Sequence, residues 1–222
     1  MAGSRPAAGG GRWVDVDPER LPRWLDGFAE RHGSVAAQVG EHGLRLVGAD
    51  GAVAELHPPP GAAPSSTLDD FVAQALVERR IGLLLARRAA AAVGIASGLV
   101  LLESKVDSSY VQGRTAAGGW SQQRFARRRA NQTRAAAESA ADVAVRLLLP
   151  EADRLAALVT GGDRRAVDSV LADRRLAPLT PLRSERFLEV GEPRRAALEG
   201  AAAAARTVRI RVLDPRTDGP GS

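Results

Sequence analysis

The segment from Tyr110 to Arg134, YVQGRTAAGGWSQQRFARRRANQTR, concentrates groups able to do chemistry. Gly118 and Gly119 give a backbone that bends freely and approaches another surface closely. Gln122 and Gln123 carry amides that both donate and accept hydrogen bonds. Trp120 offers a π face on which a base can stack, or which can pack on Phe125. Ser121 has the side-chain oxygen of an N-cap, which places Gln122 and Gln123 in the first turn of a helix. Backbone N–H groups there are unpaired and the helix dipole is positive, so the terminus suits an anion or an oxygen becoming one.

Charge adds a second signal. Between Ser104 and Ala137 stand seven cations (Lys105, Arg114, Arg124, Arg127, Arg128, Arg129 and Arg134) and one anion, Asp107, a local charge of +6. The whole chain carries +5, so the other residues together stand at −1. Lys105 is the sole lysine and alanine is abundant, both as a GC-rich coding sequence gives, so arginine identity alone says little. Clustering is the informative feature: grouped arginines gain affinity for a polyanion by releasing its counterions.

Composition excludes several chemistries. The chain has no cysteine, which removes disulfides, thiol catalysis and thiolate-bound zinc. His32, His42 and His57 all lie in the first 60 residues, without i, i+4 spacing or carboxylate partners, and read as surface or turn histidines. No metal and no cofactor are expected. Ser/His/Asp, Cys/His and paired-carboxylate patterns are missing. Gly161-Gly162-Asp163 follows an apolar run, but no P-loop or dinucleotide fingerprint surrounds it, so it reads as a tight turn. No apolar run reaches the roughly 18 residues of a membrane span, and MAGSRPAAGGG lacks a signal core. A soluble, monomeric, cytoplasmic protein without a membrane role is expected.

Periodicity says what must hold the loop. Ala136, Ala140, Val143 and Leu147 form one apolar stripe at helical spacing. Continued backwards the stripe meets Gln132, Arg129 and Phe125 and fades. A helix from about Ser121 to Leu149, roughly 40 Å long, is therefore anchored by its second half, while its first half and the Gly-Gly loop project.

The fold class expected for the rest is α/β in the α+β sense: a mixed β-sheet flanked by helices, a small N-terminal α+β unit, and one long projecting basic helix. Residues 1–11 are Gly/Ala-rich and expected to be disordered. Residues 12–57 form the small unit: a strand at Trp13–Val16, a helix Pro18–His32 and strands at Val35–Val39, Leu44–Val47 and Val53–Leu56, with Trp13 and Trp24 in its core. PPPGAAPSS, residues 58–66, reads as a linker. Residues 67–213 form the main domain. It opens with a helix capped by Thr67 and an antiparallel meander over Arg80–Ala86, Ala91–Ser97 and Leu99–Val111, in which Gly94 and Gly98 mark bends. After the long helix come a strand at Leu155–Thr160, a helix to about Asp173, a strand at Phe187–Val190, a helix at Glu192–Ala205 and a last strand at Val208–Val212. Residues 214–222 are tail.

Gly119-Trp120-Ser121-Gln122, set before an Arg-rich helix, resembles the Gly-x-x-Gln loop of the Vms-like release factor (VLRF) family, and its actinobacterial branch in particular. It is similar also to the Gly-Gly-Gln loop of eukaryotic and archaeal class-one release factors. The resemblance spans roughly Leu68 to Leu213. It departs from the release-factor motif in that two residues separate Gly118-Gly119 from Gln122, and Gln123 stands beside Gln122 as an alternative working glutamine.

The resemblance implies a release-factor catalytic-domain fold and a peptidyl-tRNA hydrolase that frees nascent chains from stalled ribosomes. Gln122 and Gly119 would be catalytic, with Gly118, Trp120, Ser121 and Gln123 in the supporting loop. Arg114, Arg124, Arg127, Arg128, Arg129 and Arg134 would grip ribosomal RNA and tRNA phosphates on the large ribosomal subunit. Two alternatives are an endonuclease cutting the tRNA before its CCA end and a non-catalytic RNA-binding module.

Overall fold

The computed structural model describes residues 4–87, 90–108 and 122–215, with backbone only for 108 and 122–130. The chain divides into two compact units, residues 1–78 with 206–222 and residues 79–205.

The first unit is a six-stranded antiparallel sheet in the order β1-β2-β11-β5-β4-β3. Its strands are β1 (Ser4–Pro6), β2 (Arg12–Val16), β3 (Val35–Val39), β4 (Leu44–Gly48), β5 (Val53–His57) and β11 (Val208–Leu213). Two helices, α1 (Leu21–His32) and α2 (Leu68–Leu76), cover one face. Alternation decides which side chains they meet. Val16, Leu44, Leu46, Leu56, Ile210 and Val212 point inward and pack with Leu21 and Phe28 of α1 and Phe71 and Ala75 of α2. Gly33, at φ 77°, stops α1, and the Thr67 hydroxyl accepts the Asp70 N–H at 3.2 Å to cap α2.

Four expectations change here. Residues 4–6 are a strand paired with β2, and Arg211 fastens the following turn by donating to the carbonyls of Ala8, Gly9 and Gly10. The Pro-rich segment is not a solvated linker throughout, since Pro59 and Pro60 are buried. Both α2 and β11, expected in the main domain, belong to the first unit, because their apolar faces complete its core. Asp214, expected in the tail, pairs with Arg12 at 2.8 Å. Of the two tryptophans, Trp24 packs against the core and stacks on Phe28 at 5.5 Å. Trp13 stands on the other face, because Val14 and Val16 take the inward positions of β2.

The second unit is a five-stranded mixed sheet in the order β10-β9-β6-β7-β8. β6 (Arg80–Arg87), β7 (Ala90–Ser97) and β8 (Val100–Ser108) form the antiparallel meander, while β9 (Ala157–Gly162) pairs parallel to β6 and β10 (Arg183–Leu188) parallel to β9. Helix α3 (Gln122–Leu148) joins β8 to β9, and α4 (Arg164–Leu171) joins β9 to β10. Ile81 to Ala86 is a continuous buried run because helices cover both faces. Leu84 and Ala86 meet α3 and α4, whereas Ile81, Leu83 and Leu85 meet Leu198, Ala201, Ala202 and Ala205 of α5 (Arg195–Arg206). The fold is thus mixed α+β, as the alternation and turn pattern require.

Gly94 is no bend. It lies within β7, where a Cβ would meet the Glu103 carbonyl oxygen and the Leu101 side chain, each at 3.1 Å. Gly98, at φ 56°, does make the β7–β8 turn.

Candidate functional site

Helix α3 has 27 residues, about 40 Å at 1.5 Å each. Its second half is anchored. Ala136, Ala140, Ala141, Val143, Ala144, Leu147 and Leu148 are all buried, at the spacing that the sequence stripe defines. A charged clamp adds to this: Arg175, just beyond α4, donates to Asp142 of α3 at 2.7 Å and to Asp173 at 2.6 Å. The Arg175 guanidinium and backbone N–H hold the Asp173 carboxyl down at about 2.

The first half leaves the sheet. Thr133, Ala136 and Ala137 lie with Ala86 and Ala90, at the joined ends of β6 and β7, and with Ala166 and Ser169 of α4. At its other end α3 brings Leu148 over Gly82 in the interior of β6. The helix therefore runs antiparallel to β6, and the backbone before Thr133 continues beyond the strand ends. That stretch, residues 122–132, is roughly 16 Å long. Asn131, Thr133, Arg134 and Ala135 are exposed, and Ala136 is buried. β8 ends at Ser108, opposite Ala90, at this same end of the sheet.

Of the expected site, Gln122 and Gln123 are the first two residues of α3, and Arg124, Arg127, Arg128 and Arg129 occupy its first two turns. Gly118, Gly119, Trp120, Ser121 and Arg114 lie outside the described residues. Arg134 donates from Nε to Glu138 Oε1 at 3.0 Å, one turn on. Glu138 stands one residue past the window over which the basic charge was summed, and it moderates the charge at the base of the projection. Both side chains are exposed, so the pair contributes only about 0.3–0.5 kcal/mol.

Near this end of the sheet, Gly162 has φ 101°, and a Cβ on it would lie 2.3 Å from the Ala86 carbonyl oxygen. The Asp163 N–H donates to that oxygen at 2.8 Å, and the Asp163 carboxylate caps α4 by accepting the Ala166 N–H at 3.0 Å. A protein carboxylate thus occupies the terminus where a bound phosphate would sit, and the glycines serve a close backbone turn. Missed in the sequence is the partner of His32: its Nδ1 lies 2.8 Å from Asp50 Oδ2, and this bond lowers the Asp50 pKa. Asp50 also accepts the Ala52 N–H, so the pair shapes the β4–β5 turn. Among the described residues no group of three or more His, Asp or Glu comes together as a metal set. No helix among them is long and apolar enough to cross a membrane.

No curated protein matches the chain. Among solved structures, an archaeal protein is similar at 15% identity and a TM-score of 0.37, over 72% of this chain and 51% of the other. An archaeal translation termination factor, aRF1, is similar at 14% identity and a TM-score of 0.36, over 86% of this chain and 63% of that one. The chain thus spans about half to two thirds of the length of these two neighbours. Residues 79–211 match the family described as Actinobacteria/chloroflexi VLRF1 release factor. That match takes in the whole second unit, with α3 at its centre, and well over half of the chain, which therefore belongs to the Actinobacteria/chloroflexi VLRF1 release factor family.

Proposed function

We propose that the protein hydrolyses peptidyl-tRNA on stalled ribosomes, freeing nascent chains in ribosome-associated quality control. Gln122 would act in a loop inserted into the peptidyl transferase centre of the large subunit. The observation that carries this reading is the opening of α3 at Gln122, at the far end of a stretch reaching roughly 16 Å past the strand ends. An enclosed ester is reached by a narrow projection and not by a cleft.

The chemistry asks little of the protein. A water oxygen bonds to the ester carbonyl carbon, the bond from that carbon to the ribose 3′ oxygen breaks, and a proton passes to that oxygen. Catalysis then needs one oriented water and donors toward the developing oxyanion. A glutamine amide and the unpaired N–H groups of a helix start supply these without titrating near neutrality. Gly118 and Gly119 let the backbone come close to the tRNA end. Arg124, Arg127, Arg128 and Arg129 place charge along the helix where RNA phosphates would flank it.

The test is incubation of the protein with large subunits carrying stalled peptidyl-tRNA. Free peptide with a tRNA that can be re-aminoacylated directly is expected. A tRNA lacking its CCA end, with CCA still on the peptide, would replace hydrolysis by endonuclease action. Binding without release would leave an RNA-binding module.

A further inference from the structure

The family match takes in none of β1 to β5, and the sheet they form with β11 has a face that α1 and α2 do not cover. Strand register places one outward residue from each of six strands in a single row: Gln38, Arg45, Glu55, Arg211, Trp13 and Arg5. At five spacings of about 4.8 Å the row is roughly 24 Å long. Beside it runs a second row, His57, Arg209 and Asp15. Every one of these side chains is half-buried or exposed.

Three rings meet on this face. Trp13 and His57 lie edge to face at 5.0 Å, His42 stacks on His57 at 5.0 Å, and Arg209 lies 5.8 Å from the Trp13 ring centre. Asp15 is shared by Arg5 at 3.1 Å and Arg209 at 3.3 Å, and Glu55 pairs with Arg211 at 3.4 Å. Four outward arginines thus meet two carboxylates on the strands, with Glu41 beside His42 in the β3–β4 turn. Cross-strand pairing accounts for alternating charge on an open sheet. It accounts neither for the excess of cations nor for three rings in contact on the side away from the core.

We propose that this face binds a single strand of RNA, with bases against Trp13, His57 and His42 and phosphates against Arg5, Arg45 and Arg209. Interleaved rings and guanidiniums suit a polymer that alternates π faces with anions. An acidic peptide offers the anions without the π faces. The choice of RNA over other polyanions rests on the release-factor family assignment and not on the hydrolase reading.

The experiment uses the full chain carrying Arg124→Glu, Arg127→Glu, Arg128→Glu and Arg129→Glu, which reverses the charge of the front of α3 and silences the basic helix, with a fluorescein-labelled oligouridylate as the probe. Binding is expected to persist on this background and to weaken about tenfold on adding Trp13→Ala. Adding Arg45→Ala should lower the salt slope by about one. His42→Ala in the exposed turn and Arg45→Ala at a half-exposed strand position test the same face should Trp13→Ala fail to fold. Three results overturn the proposal: no binding on the helix-silenced background, unchanged binding in all the added variants, or equal affinity for polyglutamate. None of these readouts depends on peptide release, so a failure of Gln122 as catalyst leaves them standing.

Discussion

The two sheets of this protein use their faces differently. In the second unit helices cover both faces of the central strands, so Ile81 to Ala86 are spent wholly on packing, and the sheet meets solvent at its edges, as at Leu102 and Lys105 of β8 and Glu185 of β10. The chemistry proposed for that unit sits at the sheet's end, where α3 runs past the strands. In the first unit one face is core, and the other carries Trp13, His57 and four arginines. A sheet packed on both faces leaves a projecting element as the place for a site, whereas a sheet with helices on one face leaves the other face for one.

The largest effect expected is on release. Gln122→Ala should lower the rate of peptide release by about a hundredfold or more with an unchanged thermal midpoint, because Gln122 opens α3 fourteen positions ahead of the buried stripe of Ala136, Ala140, Val143 and Leu147. Release at the wild-type rate breaks the assignment of chemistry to the sheet's end, and loss in Gln123→Ala instead moves it by one residue. On the buried side of the comparison, Leu148→Ala should lower stability by about 2–5 kcal/mol in urea denaturation, since Leu148 is fully buried between α3 and the sheet. Gly162→Ala should cost about 1–3 kcal/mol in the same assay, because it forces a side chain into a positive-φ site against the Ala86 carbonyl.

Smaller effects test the projection. Arg127→Glu with Arg128→Glu should lower the salt slope of binding to large subunits by about two, one for each lost phosphate contact. An unchanged slope means that this face of the helix is merely solvated. The smallest effect is the acid loss of the Arg175 clamp. Asp173 has a folded pKa of about 2 against an ordinary 3.8, so its contribution is present in full above about pH 4 and is lost as pH falls through about 2. Asp173→Asn should remove that part of the acid sensitivity, read as the pH dependence of the urea midpoint between pH 4 and pH 2.

Much of the second unit was legible because its signals are local. The stripe Ala136, Ala140, Val143 and Leu147 is set by a helical period, and all four are buried. Asp163 precedes α4 and caps it, as Thr67 does for α2 in the first unit. The boundary between units was not legible, because nothing in Val208–Leu213 says which sheet its alternating residues will join. That choice depends on pairing with β2 and β5, roughly 150 to 200 residues earlier in the chain. The HPPPGAAPSS segment has the composition of a linker, yet Pro59 and Pro60 are buried, which only packing reveals. His32 and Asp50 likewise meet because a turn closes across 18 positions.

By itself the sequence determined the helices, most of the strands, the concentration of charge between Ser104 and Ala137 and the loop motif ending at Gln122, since each follows from spacing and residue type over short stretches. Tertiary structure alone decided which elements share a sheet, how far α3 runs past the strand ends, and that Trp13 lies on an open face among arginines and not in a core. Those outcomes are fixed by which apolar faces find one another across the chain, and burial between residues far apart leaves no mark in local spacing.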